Sequence, residues 1–252
     1  MLKKTLPLLV SLVFAGPVLA AEPLSVAVAA NLQYTFDDLA AAFQRETGIA
    51  VKPSYSSSGK FVAQIQNGAP YDFFLSADRD FPEKLAELGL TATPPKIYAY
   101  GTLVLWTLKP DLNLNNWQQA LAGPQVAKIA VANPRTAPYG RETMKVLGKL
   151  GLDSKLESKL VFGESISQTN QYIYSRAADA GFTAKSVVVS PEMKGKGHYV
   201  ELARDSYQPI AQAMVVTRRG GAENGVAARK LYDFMSSATA RDILSKNGYL
   251  LP

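Results

Sequence analysis

Apolar positions along this chain switch repeatedly between two spacings. Leu24-Ser25-Val26-Ala27-Val28-Ala29-Ala30 reads as a strand. After Asn31, the spacing of Leu32, Phe36, Leu39 and Phe43 predicts a helix that Gly48 ends. Ile49-Ala50-Val51 opens a second strand, which leads into Tyr55 and a serine triplet. Phe61, Val62 and Ile65 mark a short helix stopped by Asn67-Gly68. Asp72-Phe73-Phe74-Leu75 is a third strand, and a helix carrying Leu85 and Leu88 follows.

The pattern then resets. Gly101 to Leu108 reads as one long apolar strand, and Lys128 to Ala132 begins a second α/β run. Helices follow with Met144, Leu147 and Leu150, then with Ile166, Tyr172 and Ile173. Ala211 to Thr217 is a further apolar strand, ahead of helical patterns at Leu231, Phe234 and Met235 and at Ile243 and Leu244. Strands apolar throughout and alternating with helices predict α/β architecture with parallel sheets covered on both faces. The order predicts two lobes, with residues 21–101 and 211–252 in the first and 102–210 in the second. Leu103–Leu108 would cross outward and Ala211–Thr217 back, making a hinge around a cleft. One large α/β sheet is the alternative.

The carboxyl ends of parallel strands line up along one edge, where ligands bind. Four junctions there lead into predicted helices: Ala30-Asn31, Ser56-Ser57-Ser58-Gly59, Ala137-Pro138-Tyr139-Gly140 and Gly163-Glu164-Ser165-Ile166-Ser167. A helix start offers unpaired backbone N–H groups and a positive dipole end. Several starts around one cleft would hold a compact anion without arginine, and a fully ionised tetrahedral oxyanion fits best. Phosphate near neutral pH keeps a proton that wants an acceptor, and among these junctions only Glu164 offers a carboxylate. Each junction also has a plainer reading. Ser58 and Asn31 suit helix caps, Tyr139 suits packing after a proline, and the Ile166 side chain suits the core.

Composition narrows the chemistry. The 252 residues are 47% hydrophobic, enough for a sizeable core, with a net charge of +6. Cysteine is absent and histidine occurs once, so disulfides and zinc or copper sites are disfavoured. His198, among glycines and charges, reads as a surface turn residue, which leaves no partner for a serine triad. Lys194-Gly195-Lys196-Gly197 reads as a solvated turn, and Asp37-Asp38 as charges on a helix's solvated face. Arg218-Arg219 and the scattered lysines form no aromatic-interleaved stripe, which disfavours nucleic acid. Ser57-Ser58-Gly59-Lys60 matches the Ser-x-x-Lys spacing of penicillin-binding enzymes, without their partner motifs. A nucleotide phosphate loop fails, because Ser54 and Phe61 stand where Gly and Ser/Thr are needed.

Residues 1–20 open with Lys3-Lys4, continue apolar from Leu6 to Val18 and end in small residues. This is the layout of a secretory signal cut after Ala20, which predicts a soluble periplasmic protein. A lipoprotein anchor would need a cysteine.

Several stretches resemble the periplasmic molybdate-binding proteins of ABC-type uptake systems. They are Val28-Ala29-Ala30-Asn31-Leu32, Tyr55-Ser56-Ser57-Ser58-Gly59, the run from Gln64 to Asp78, Asn133-Pro134, Ala137-Pro138-Tyr139-Gly140 and Ala180-Gly181-Phe182. Within the Gln64–Asp78 run, Gly68-Ala69-Pro70-Tyr71-Asp72-Phe73-Phe74-Leu75-Ser76-Ala77-Asp78 is the most specific piece.

The resemblance implies a type II periplasmic-binding fold, two α/β lobes joined by two crossing hinge strands. It implies a binding protein, not an enzyme, that takes molybdate and usually tungstate and docks as a monomer on an inner-membrane permease. No cofactor and no direct protein–metal bond is implied. Asn31 would donate through its amide and backbone N–H, Ser58 through its hydroxyl and N–H, Tyr139 and Ile166 through N–H groups. Ala30 would add a backbone contact. The enterobacterial pattern has serine where Asn31 stands and a contacting tyrosine where this chain reads Ala184. Sulfate or phosphate binding, and a secreted Ser-Lys acyl hydrolase, remain alternatives.

Overall fold

The computed structural model describes residues 22–252. The expected signal segment lies outside the described residues. Ten strands run as β1 Leu24–Ala29, β2 Val51–Ser56, β3 Phe73–Leu75, β4 Lys96–Gly101, β5 Leu103–Thr107, β6 Ile129–Ala132, β7 Leu160–Gly163, β8 Ala180–Ala184, β9 His198–Glu201 and β10 Ile210–Val216. They form two five-stranded sheets, ordered β2-β1-β3-β10-β4 and β7-β6-β8-β5-β9. The chain is therefore two α/β lobes.

Both sheets are mixed where fully parallel ones were expected. β1 runs parallel to β2 and β3, and β10 runs antiparallel to β3 and β4. The second sheet repeats the plan, with β6 parallel to β7 and β8 and with β5 antiparallel to β8 and β9.

Alternation along each strand sends side chains to two cores. In the first lobe Val26 and Val28 pack with Phe36, Leu39 and Phe43 of the helix Gln33–Thr47. Ala27, Phe74 and Val215 meet Phe61, Val62 and Leu85 on the other face. In the second lobe Leu103 and Leu105 join Val146 and Leu147 of the helix Pro138–Lys149. Val104 and Trp106 turn the opposite way, toward Ile173 of the helix Ile166–Tyr174. Gly48 ends its helix in the left-handed conformation at φ 73°.

The chain crosses between lobes twice, but not along the length of a strand. Of the expected strand Gly101–Leu108, Leu103–Thr107 forms β5, whereas Gly101 is the last residue of β4 in the other sheet, with Thr102 between them. β10 likewise lies wholly in the first sheet, and the return is made between Glu201 and Ile210. His198 is another correction: it opens β9, half-buried, with Nε2 2.9 Å from the Leu112 carbonyl. Among the described residues no helix is long and apolar enough to cross a membrane.

Candidate functional site

The strand–helix junctions singled out in the sequence meet at one place. Ala29, Ala30, Asn31, Ser57, Ser58, Ala77, Ala137, Pro138, Tyr139 and Ile166 line a single cavity with ≈ 200 Å³ of atom-free space. All of them stand at or just after the carboxyl ends of β1, β2, β3, β6 or β7, where the aligned strand ends open onto the cleft.

Local sequence sets each junction. Ser58 and Ile166 are the first residues of their helices and Tyr139 the second, positions whose N–H has no partner in a preceding turn. Pro138 takes the first position of its helix, where the missing N–H costs nothing. Gly140 lets that helix start against β6, because a Cβ there would collide with the Ala132 carbonyl. Asn31 sits in a 3-10 turn, Ala30–Leu32, that leads into the helix Gln33–Thr47.

The hydroxyls carry the second part of the pattern. Ser58 is fully buried, and its Oγ accepts from the Ala77 N–H at 3.0 Å. Its hydroxyl hydrogen is left free to donate. Ser57 caps the helix Ser58–Gln66 by position but makes no side-chain cap bond. It is 3% exposed, and its Oγ is buried without a protein partner. Such an atom costs about 1–3 kcal/mol unless a ligand satisfies it. The serine triplet singled out Ser58 and not Ser57; the signal that separates them is a cap that caps nothing.

Asn31 differs from expectation. Its Nδ2 donates to Gln212 Oε1 at 2.9 Å and to Tyr249 Oη at 3.2 Å, which uses both amide hydrogens. Its carbonyl accepts from Tyr249 Oη at 3.0 Å and from Ser186 Oγ at 2.9 Å. Asn31 thus lines the cavity while its side-chain amide is spent tying the turn to the surrounding fold. Gln212, Tyr98 and Tyr249 form this buried support, and none was apparent in the sequence. Burial pushes the Tyr249 phenol up to about 12 and those of Tyr98 and Tyr139 well up, so all three stay neutral. Ala184 is buried at the end of β8 and is not among the cavity-lining residues.

No Asp, Glu, His, Lys or Arg side chain lines the cavity. Lys60 pairs with Glu164 at 2.9 Å, in a partly exposed bridge across the cleft. That lysine is engaged away from Ser57, contrary to what Ser-Lys chemistry needs. Lys60 lowers the pKa of the exposed Glu164 carboxylate, first through their hydrogen bond. Arg141 of the second lobe reaches Asp78 at 2.7 Å and Asp80 at 3.1 Å in the first. Further cleft contacts join Gly59 N to the Thr136 carbonyl at 2.9 Å and Ser167 Oγ to Gln33 Oε1 at 2.6 Å. Among the described residues, no group of three His, Cys, Asp or Glu could hold a metal ion.

Comparison with known proteins agrees with this arrangement. The family model for bacterial extracellular solute-binding proteins matches residues 24–250. The molybdate-binding protein ModA of Azotobacter vinelandii is 38% identical over 230 residues, covering 91% of this chain and 90% of its own. ModA of Rhodobacter capsulatus is 36% identical over 232 residues, covering 92% and 89%. The solved structure of the Azotobacter vinelandii periplasmic molybdate-binding protein superposes with a TM-score of 0.85 at 38% identity, covering 91% of this chain and 99% of that one. With two α/β lobes, a neutral cavity of helix starts between them and a match over nearly all the described residues, this chain belongs to the bacterial extracellular solute-binding protein family.

Proposed function

We propose that this protein captures molybdate, and tungstate with it, in the cleft between its lobes and delivers the anion to an ABC-type permease. The observation that carries this reading is the convergence of helix-start N–H groups and serine hydroxyls on one small uncharged cavity. Donors without compensating charge suit an anion that arrives fully ionised. Hydrogen phosphate would bring a proton needing an acceptor, and Glu164, the only acidic candidate at these junctions, is half-exposed and tied to Lys60. Relatives named as molybdate-binding proteins, with more than a third of residues identical, favour molybdate among oxyanions.

In this reading Asn31, Ser58, Tyr139 and Ile166 donate to the oxyanion, with a backbone contact from Ala30. The buried Ser57 hydroxyl adds a donor. The metal enters only inside its oxyanion, with no bond to protein. Residues 21–101 and 211–252 make the first lobe and 102–210 the second, and they hinge at Thr102 and between Glu201 and Ile210. Ligand bridging both lobes favours the closed form because only that form offers every donor. The protein works as a monomer in the periplasm, after a leader is removed behind Ala20.

Calorimetry on the mature, ligand-stripped protein tests this, with molybdate, tungstate, sulfate and phosphate titrated in parallel. Tight one-to-one molybdate binding with weak sulfate and phosphate is expected. Preference for sulfate or phosphate reassigns the ligand, and silence from all four overturns oxyanion capture.

A further inference from the structure

Gln212 is fully buried on β10, two residues after the chain has returned to the first lobe at Ile210. The register of β10 against β4 shifts at this residue, between Gln212 and Ala213. The residue left unpaired there is Tyr98 of β4, and the Gln212 side chain beside it reaches both halves of the site. Gln212 Oε1 accepts from Asn31 Nδ2 at 2.9 Å and lies 2.9 Å from Tyr98 Oη. Its Nε2 donates to Tyr139 Oη at 3.1 Å. Asn31 belongs to the first lobe and Tyr139 to the second, so one neutral amide spans the two.

The surroundings are shaped around this bond. Tyr139 is fully buried, and its ring runs from the helix start at the cavity back to the crossover. A Cβ on Gly101, the last residue before the chain leaves the first sheet, would strike Tyr139 Oη and stand 2.6 Å from Gln212 Nε2. Glycine is thus required where the chain crosses because the phenol and amide meet there. Tyr139 lines the cavity, and its hydroxyl is held by Gln212 beside the crossover.

We infer that Gln212 is a positioning residue for closure: through Asn31 and Tyr139 it locks the two half-sites together at the hinge, so that ligand release requires its bond to Tyr139 to give way. The amide touches no ligand in this scheme and acts through the two residues that do. The inference rests on the oxyanion-capture reading.

The test is a double-mutant cycle on the full mature chain, with Tyr139→Phe, Gln212→Met and the pair together, and Tyr98→Phe as the comparison within one lobe. Molybdate association and dissociation rates are measured by stopped flow, alongside the melting temperature of each ligand-free protein. Each member of the pair should speed dissociation about tenfold, as expected for one buried bond, and leave association nearly unchanged. The double variant should be little worse than Gln212→Met alone. Tyr139→Phe removes one oxygen and keeps the backbone N–H, so it serves if Gln212→Met does not fold. Additive effects overturn the inference, as do lowered melting temperatures with unchanged dissociation, or Tyr98→Phe acting as strongly as Tyr139→Phe. Wild-type protein that binds no molybdate instead sinks the functional reading, and this inference with it.

Discussion

The backbone N–H of Gly59 donates to the carbonyl of Thr136 at 2.9 Å, one lobe to the other, beside the cavity. Glycine is what lets the backbones meet. A Cβ at position 59 would lie 2.9 Å from Phe81 Cζ, 3.0 Å from Thr136 Cα and 3.2 Å from Thr136 Cβ. The phenylalanine tip can turn aside, but the Thr136 backbone can move only by opening the cleft. Gly59 lies inside the helix Ser58–Gln66, where alanine is locally favoured by about 0.5–1 kcal/mol. Gly59→Ala should therefore keep the ligand-free melting temperature while weakening molybdate binding, by roughly tenfold if closure meets an ordinary overpacking cost. Calorimetry and a melting curve on the same sample check it, and unimpaired affinity would show that the lobes need not approach this closely.

Ser57 should separate stability from binding in the same sense, for a different reason. Its hydroxyl is buried with no protein partner and makes no cap bond, so the ligand-free fold gains nothing from it. Ser57→Ala is expected to raise the ligand-free melting temperature slightly and to lower molybdate affinity. A variant that lost stability and kept its affinity would assign Ser57 to the fold alone.

Ser58 plays two parts at once. Its Oγ accepts from the Ala77 N–H, and its hydrogen is available to an anion. Ser58→Ala should weaken binding by roughly 1–3 kcal/mol, the scale of one hydrogen bond to a buried charged acceptor. Part of any fall in the melting temperature would come from the orphaned Ala77 N–H. Titration of the variant that matches wild type would remove this hydroxyl from the ligand shell.

The halves of the site that sequence made legible are those written in short local patterns. Ser58 and Tyr139 stand where an apolar strand passes into a helical spacing and Ile166 stands at a predicted helix start, and the structure brings them around one cavity with Ala30 and Asn31. What supports them was not legible. Gln212 is 181 residues from Asn31, and Tyr249 is 218, so only the fold joins them. That is also why the Asn31 amide was expected to face a ligand: nothing nearby in sequence competes for it. The strands β7, β8 and β9 escaped the pattern for local reasons. β7 is an edge strand with its Phe162 exposed, and β9 alternates half-buried and exposed residues at the other edge. β8, Ala180–Ala184, carries small residues and Gly181 because a Cβ there would press within 2.7 Å of the Ala130 carbonyl and Ile173 Cδ1. β4 also escaped, all but its last residue Gly101, since Lys96, Tyr98 and Tyr100 give its stretch no plain apolar run.

Asp78 and Arg141 give the cleft a pH dependence whose two signs oppose each other. Asp78 is buried in the first lobe, and burial raises its carboxyl pKa above 3.8, partly offset by the Phe81 N–H, Arg141 and Ser76. The folded protein thus holds this proton more tightly than the unfolded chain. The resulting stabilisation is complete below pH 3.8, and it is lost as pH rises through the higher folded value. The bridge to Arg141 needs the carboxylate, so closure weakens as pH falls through that same folded value. Asp78→Asn imitates the protonated acid. Its amide oxygen can still accept from Phe81 N and Ser76 Oγ, and Arg141 keeps Asp80. The variant should melt no lower than wild type at neutral pH and bind molybdate roughly fivefold more weakly, about 1 kcal/mol for the lost charge-assisted bond. Its affinity should also lack the acid-side decline of the wild type. Dissociation constants and melting temperatures across the acid range, taken for both proteins, decide the matter. An affinity loss that persists with the wild-type pH profile would place the titrating group elsewhere.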